Sequence, residues 1–363
     1  MSKKKVLYLI PHLQNQGPVA QLFSLVKNLD QERFSLFILT LFPERENSMI
    51  EQFREVGAEV ICANLKRWQI ISQKRLISDT IKKINPDLIH SCSTITDGLC
   101  STLYLGRPFV ITLHNNIYED VIVQYGKIIG GYLCRQEKKA IMKADFVIPC
   151  SNTLKNQYEK LIPRKYVAIP NGIDIDKWIN DTGLDKIGLR KKLGLPLEKY
   201  IIISTGALID RKNPLTLIEA FNNVNLKDAV LLVLGDGVLM EQCKAAANDC
   251  VIFTGRVKNV KEYLYASDLL VSVSSAEGLP YAILEAECTG IPMILSDIPQ
   301  HVEVAGNNID KIKMFSLKER KNLGRVIEEV VNNKGYRISY DLGEFTASSM
   351  AKHYESIYEN AGR

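Results

Sequence analysis

Two carboxylates stand where carboxylates are costly. The stretch SVSSAEGLPYAILEAECTG, residues 272–290, is mostly apolar yet carries Glu277, Glu285 and Glu287. A buried, unpaired carboxylate neutralises or finds a partner. The run LLVSVS reads as a strand and SAEGLP as a turn. Pro280, at the first helical position, opens a helix PYAILEAECT that Gly290 and Pro292 stop. The free N–H groups and partial positive charge of a helix N-terminus suit a phosphate. Glu277 precedes that terminus, and Glu285 lies about 7–8 Å along the axis. The pair can bracket a phosphate, each accepting hydrogen bonds from paired hydroxyls of two different sugars. They are not an acid/base pair. Glu287 falls on another face and is expected in solvent or in an ion pair.

The same half of the chain offers cations. STGALIDRKNP places Gly206 at a strand end, then Arg211 and Lys212 before a helix. Arginine can clamp a diphosphate bidentately and lysine acts as a point charge; a solvated pair before a helix is the ordinary alternative. VLGDG and FTGR put Gly235, Gly237, Gly255 and Arg256 at further strand ends. Several such turns on one sheet edge suggest a nucleotide lying across it. In the first half, IPHLQNQGPVAQL sets Gly17 and Pro18 at a helix start, without the Gly-x-Gly-x-x-Gly fingerprint. Gly17 alone also reads as a plain turn. ITLHNN places His114 at a strand end, able to bond a sugar hydroxyl or a phosphate oxygen; a structural histidine is the alternative, and His90 reads as structural. Asp174 and Asp176 follow an Asn-Gly turn at an apparent boundary and read as a hinge rather than a metal site.

The elements that must position these residues show as short apolar runs alternating with longer helical patterns. Strand candidates are KVLYLI, FSLFILTL, AEVICA, DLIHS, FVITLH, DFVIPCS and VAIPNG, then YIIISTG, AVLLVLGDG, CVIFTG, LLVSVS and PMILS. Near-continuous apolar strands between helices mean parallel sheets covered on both faces. The 363 residues suit two doubly wound sheets. The polar stretch 173–198 separates them, giving domains 1–175 and 176–343. A last amphipathic helix, about 344–361, carries Phe345, Met350, Tyr354 and Tyr358 roughly in phase. Ligands bind outside the carboxyl ends of strands in open α/β sheets, so a cleft between two facing sheets is the expected site.

Composition narrows the class. Hydrophobic residues make up 46% and charged residues 24%, ordinary for a globular protein with a full core. No run approaches the roughly 18–20 apolar residues of a membrane span, and MSKKKVLYLIPHL reads as a first strand rather than a signal peptide. Eight scattered cysteines without Cys-x-x-Cys imply reduced thiols and a cytoplasmic setting. Residues 1–175 hold 23 Lys+Arg against 16 Asp+Glu, or +7, whereas the remainder carries −2. Basic clusters at Lys66, Arg67, Lys74, Arg75, Lys82 and Lys83, and at Arg135, Lys138, Lys139 and Lys143, suit an anionic surface or acceptor, or a solvated helix face. No nucleic-acid motif is present.

The set GALIDRKNP, VLGDG, FTGRV and ASDLLVSVSSAEGLPYAILEAECTGIPMILSD resembles the retaining glycosyltransferases of family four. PDLIHSCS, VITLH, KADFVIPCSNTL and AIPNGID resemble that family's first-domain landmarks. The resemblance spans nearly the whole chain and implies the GT-B architecture: two Rossmann-like domains facing a cleft, with the last helix, 344–363, crossing back to pack on the first domain. It implies a nucleotide-sugar donor, UDP-linked rather than GDP-linked, and no cofactor or metal. Lys212 and Arg211 would hold the diphosphate. Glu277 would meet the transferred sugar, and Gly278, Leu279 and Pro280 the sugar and phosphate. Glu285 would take the ribose, Arg256 and Val257 would lie near the base, and His114 with the Gly17 loop would approach from the first domain. Ala207 stands where the family often has Arg after the glycine at 206, and Gln16-Gly17 where it often has Gly-Gly. The implied reaction is glycosyl transfer, with retention, to a glycan or polyprenyl-diphosphate-linked acceptor in bacterial surface polysaccharide synthesis, at the inner face of the cytoplasmic membrane. A nucleotide-sugar epimerase of the same fold and a non-catalytic nucleotide-sugar binder are the alternatives.

Overall fold

The structure, a computed structural model, describes residues 3–361 apart from 70–71, 104–105, 225 and 334. It divides into two units: one combines the chain up to Asp174 with the segment from Glu344 onward, and the other is Ile175–Gly343.

The first unit carries β1 (Lys4–Ile10), β2 (Phe34–Thr40), β3 (Glu59–Cys62), β4 (Leu88–Ser91), β5 (Phe109–Leu113) and β6 (Phe146–Pro149). They form one parallel sheet in the order β3-β2-β1-β4-β5-β6. Every residue of β4 and β5 is buried, as expected for strands covered on both faces. VAIPNG, expected as a strand, forms none. Val167, Ile169 and Asn171 donate to the carbonyls of Val147, Pro149 and Cys150 at 3.2, 3.1 and 3.3 Å, but Pro149 of β6 has no N–H with which to return a ladder bond. The last helix, Ala347–Asn360, buries Met350, Ala351, Tyr354 and Tyr358 in this unit's core; Phe345 lies ahead of it in a 3-10 turn. A polar seam runs through that core. Tyr358 Oη reaches His90 Nδ1 at 2.7 Å and Tyr8 Oη at 3.1 Å, and Thr112 Oγ1 bridges His90 Nε2 and Tyr354 Oη. Burial holds His90 down to about 3. His90 is thus a neutral, satisfied core residue.

The second unit carries β7 (Tyr200–Thr205), β8 (Ala229–Leu234), β9 (Val251–Gly255), β10 (Leu269–Ser272), β11 (Met293–Ser296) and β12 (Lys313–Phe315). Their parallel order is β12-β11-β10-β7-β8-β9. The three-residue edge strand β12 is too short to show in sequence periodicity. The buried Arg190, 4% exposed, ties this unit together. Its guanidinium donates to the carbonyls of Ala266, Leu197 and Lys199 and to Asp268 Oδ2 at 2.6 Å. All eight cysteines are free thiols. Among the described residues, no helix is long and apolar enough to cross a membrane.

Candidate active site

The second sheet's topology explains how distant residues meet. β7 and β10 are neighbours, so the turns that follow them lie side by side. The turn after β7 needs glycine. Gly206 has φ +134, and a Cβ on Gly235, after β8, would sit 1.8 Å from the Gly206 carbonyl oxygen. Bonds stitch the first turn to the one after β10. Ser275 N donates to Arg211 O at 2.7 Å, and Asn213 Nδ2 donates to Val273 O at 3.0 Å.

Across this junction the two cations and one carboxylate come together. Arg211 Nη1 donates to Glu277 Oε2 at 3.0 Å and to Ala276 O at 3.1 Å. Lys212 Nζ pairs with the other oxygen, Glu277 Oε1. The Glu277 side chain is only 6% exposed. Burial alone would raise its carboxyl; the Lys212 charge and hydrogen bond, the Ser274 hydroxyl and the Arg211 charge outweigh it, so Glu277 lies below its ordinary value and is ionised.

Helix Tyr281–Thr289 follows, with Pro280 at its N-cap rather than its first position. The ring accepts φ −79, while ψ 89 keeps the residue outside the helix. Gly290 ends it in the left-handed region, as the sequence indicated. Leu279 and Pro280 are buried. Glu285 sits inside the helix with no hydrogen bond to its carboxyl among the described residues. Burial pushes it up to about 7, opposed by the Lys212 charge. Arg256, after β9, is exposed, and Val257 beside it is half-buried.

Glu287 departs from expectation. It is 4% exposed, and Asn308 Nδ2 donates to its Oε1 at 3.1 Å. Asn308 also bonds the backbone of Asp341 through its amide and its carbonyl oxygen. Burial pushes the Glu287 carboxyl up to about 8. The face opposite the core strands is covered by the chain's return at 306–312 and 340–341, which a single helix's periodicity cannot show.

Beneath Glu277 lies a support that sequence reasoning missed. His301, fully buried, turns Nδ1 to the Ser296 carbonyl at 3.0 Å and Nε2 to Ser272 Oγ at 3.4 Å. A carbonyl only accepts, so Nδ1 carries the proton. Ser296 Oγ in turn donates to Ser274 O at 2.6 Å. Burial lowers His301 to about 4, leaving it neutral. The strand ends of β10 and β11 thereby hold the Glu277 turn.

In the first unit, His114 lines a cavity together with Gln16 and Pro18, which flank Gly17. Burial lowers His114 to about 4. Asp174, read as a hinge residue, pairs with Lys27 at 2.5 Å on the unit's last residues.

Comparison with known proteins matches both units. The family model described as glycosyl transferases group 1 matches residues 185–342, and the one described as Glycosyltransferase Family 4 matches residues 16–177. An Escherichia coli relative, UDP-Gal:alpha-D-GlcNAc-diphosphoundecaprenol alpha-1,3-galactosyltransferase, is 30% identical over 72% of this chain and 70% of its own length. The chain is a family 4 glycosyltransferase. A second relative of this transferase, the O-antigen biosynthesis glycosyltransferase WclY of Escherichia coli, is 26% identical over 99% of both chains. Among solved structures, Anabaena HepE in complex with UDP and glucose superposes with a TM-score of 0.79 at 19% identity, covering 98% of this chain and 100% of that one. The two parallel sheets of the transferase are those of the GT-B fold.

Proposed function

We propose that the enzyme moves a sugar, with retention of anomeric configuration, from a nucleoside-diphosphate donor to a hydroxyl of a lipid-linked or glycan acceptor in bacterial surface polysaccharide synthesis. The observation that carries this reading is the triad of Lys212, Arg211 and Glu277, with the unpartnered Glu285 one helix further in. A diphosphate fits where Glu277 now compensates the two cations. As it binds, Lys212 and Arg211 turn to its oxygens, and the Glu277 carboxylate becomes free to accept from hydroxyls of the transferred sugar. The cations then stabilise the negative charge that builds on the leaving diphosphate, and the amides of Gly278 and Leu279 add dipoles at the helix start. Glu285 takes the ribose hydroxyls, and Arg256 and Val257 flank the base. Among the described residues, the side chains bonded to Glu277 are those of Lys212, Arg211 and Ser274, none of them a carboxylate or an activated nucleophile. We therefore assign a front-face, oxocarbenium-like route, in which a β-phosphate oxygen takes the acceptor's proton. The names of the two relatives, one with a UDP-sugar donor and a diphosphoundecaprenol acceptor, support the substrate class.

Membrane association at the inner face belongs to the same proposal. The segment Ile117–Lys143, two helices broken at Gly126 (φ +75), exposes Ile128, Ile129 and Tyr132 beside Lys127 and Arg135 just after the break, a pairing suited to an anionic lipid surface.

The test is turnover of UDP-sugars with lipid-linked acceptors, read by NMR of the product anomer, for the natural chain and Glu277→Ala. Loss of hydrogen bonds to a charged group, about 1.5–3 kcal/mol each, lowers kcat roughly 100-fold or more. UDP affinity is unchanged or tighter, because Lys212 and Arg211 are released from the carboxylate. Full activity in Glu277→Ala, or an inverted anomer, overturns the mechanism; sugar conversion without acceptor favours an epimerase.

A further inference from the structure

The first unit encloses a cavity of about 230 Å³ at the carboxyl ends of β1, β4 and β5. Two acids reach it from different helices: Asp97 from Thr94–Cys100 and Glu137 from Ile117–Lys143. Their exposures are 1% and 2%. Ser91 and Thr94 hydrogen-bond with Asp97 and Glu137, respectively. Yet Asp97 Oδ1, Glu137 Oε2 and His114 Nε2 meet no partner among the described residues. Buried polar groups are almost always satisfied, so three orphans on one cavity point to a ligand that completes them. No lysine or arginine lines the cavity among the described residues.

The charge state is set by burial. Burial and the Glu137 charge hold Asp97 well above the ordinary carboxylate range, and burial raises Glu137 to about 7. The two acids therefore keep at least one proton at neutral pH. With His114 neutral, the lining offers hydrogen-bond donors and acceptors but no cation from these three groups.

We propose that this cavity takes an uncharged, hydroxyl-rich ring and excludes anionic groups, with Asp97 and Glu137 as its specificity-determining residues. Hydroxyls can donate to the orphaned carboxylate oxygens and accept from the protonated acid. A phosphate brings acceptors and negative charge to a site whose lining holds two buried acids and, among the described residues, no lysine or arginine to meet it. The inference rests on the transferase reading, in which the ring is the acceptor's terminal sugar and any acceptor phosphates stay outside.

The experiment titrates the full chain with methyl galactoside, methyl glucoside, methyl N-acetylglucosaminide and their 6-phosphates by ligand-observed NMR, with UDP binding measured in parallel. At least one neutral glycoside binds, and its 6-phosphate binds about tenfold more weakly or worse. The isosteric variants Asp97→Asn and Glu137→Gln each weaken the neutral glycoside about tenfold, with UDP affinity kept within about twofold as proof of an intact fold. Either variant alone decides the point should the other not fold. Phosphorylated rings binding as well as neutral ones, unchanged glycoside affinity in a folded variant, or no glycoside binding up to about 20 mM overturns the proposal. Failure of the transferase reading shows separately, as absence of UDP binding.

Discussion

The ribose contact proposed for Glu285 makes donor binding depend on pH. Its carboxyl is held at about 7 by burial, and only the ionised form accepts two hydrogen bonds from a vicinal diol. The sign follows. Donor binding lowers the Glu285 pKa, so affinity is full well above pH 7 and is lost as pH falls through it. The ionised fraction drops from about 0.9 at pH 8 to about 0.1 at pH 6, so Kd rises about tenfold, or about 1.4 kcal/mol. Neighbouring groups stay silent in this window, since Glu277 lies below its ordinary value and His301 near 4. Glu287, near 8, is the exception. The assay is calorimetry with an intact UDP-sugar, which does not itself titrate between pH 6 and 8. Glu285→Gln flattens the profile and weakens binding at pH 8, whereas Glu287→Gln leaves the slope in place. A flat profile for the natural chain, or a slope that survives Glu285→Gln, refutes the assignment.

Two further outcomes are expected. Arg190→Met leaves the carbonyls of Ala266, Leu197 and Lys199 without the Arg190 donor, while Asp268 keeps Lys186 and the Ile201 amide, and urea unfolding of the full chain shows a loss of about 3–5 kcal/mol in the transition of the second unit; a loss under about 1 kcal/mol contradicts the clamp. Ile128→Glu with Ile129→Glu reduces cosedimentation with vesicles containing phosphatidylglycerol about tenfold or more, without changing UDP affinity; equal cosedimentation removes the long helix from membrane contact.

Much of the fold was legible because parallel strands buried on both faces write themselves as unbroken β-branched runs. Glu277 and Glu285 stood out as charges in a mostly apolar stretch, the turn and helix that follow β10. Exceptions have local causes. Pro149 has no N–H to return to the segment 167–171, and β12 is three residues long. Glu287 looked solvent-facing because helical phase reports one element, whereas Asn308 and Asp341 arrive from later in the chain. The His301 support and the Asp97–Glu137 pair are assembled by sheet order from unremarkable residues. Only the phase of Cys134, Glu137, Ala140 and Ile141 on one buried helix face marked Glu137 as more than part of a basic cluster.

The return of Ala347–Asn360 to the first sheet sets a schedule for biosynthesis. Tyr354 and Tyr358 close a core whose other wall, Tyr8 and His90, leaves the ribosome far earlier. About 170 residues of the second unit emerge in between, which at about 5–20 residues per second is roughly 8–35 s of synthesis. During that interval the first sheet waits with one apolar wall uncovered, while the inserted unit, continuous in sequence, can fold first. Helix Ala347–Asn360 is thus the element that completes the first unit, and its loss would leave the first sheet unfinished while the second unit keeps its whole core.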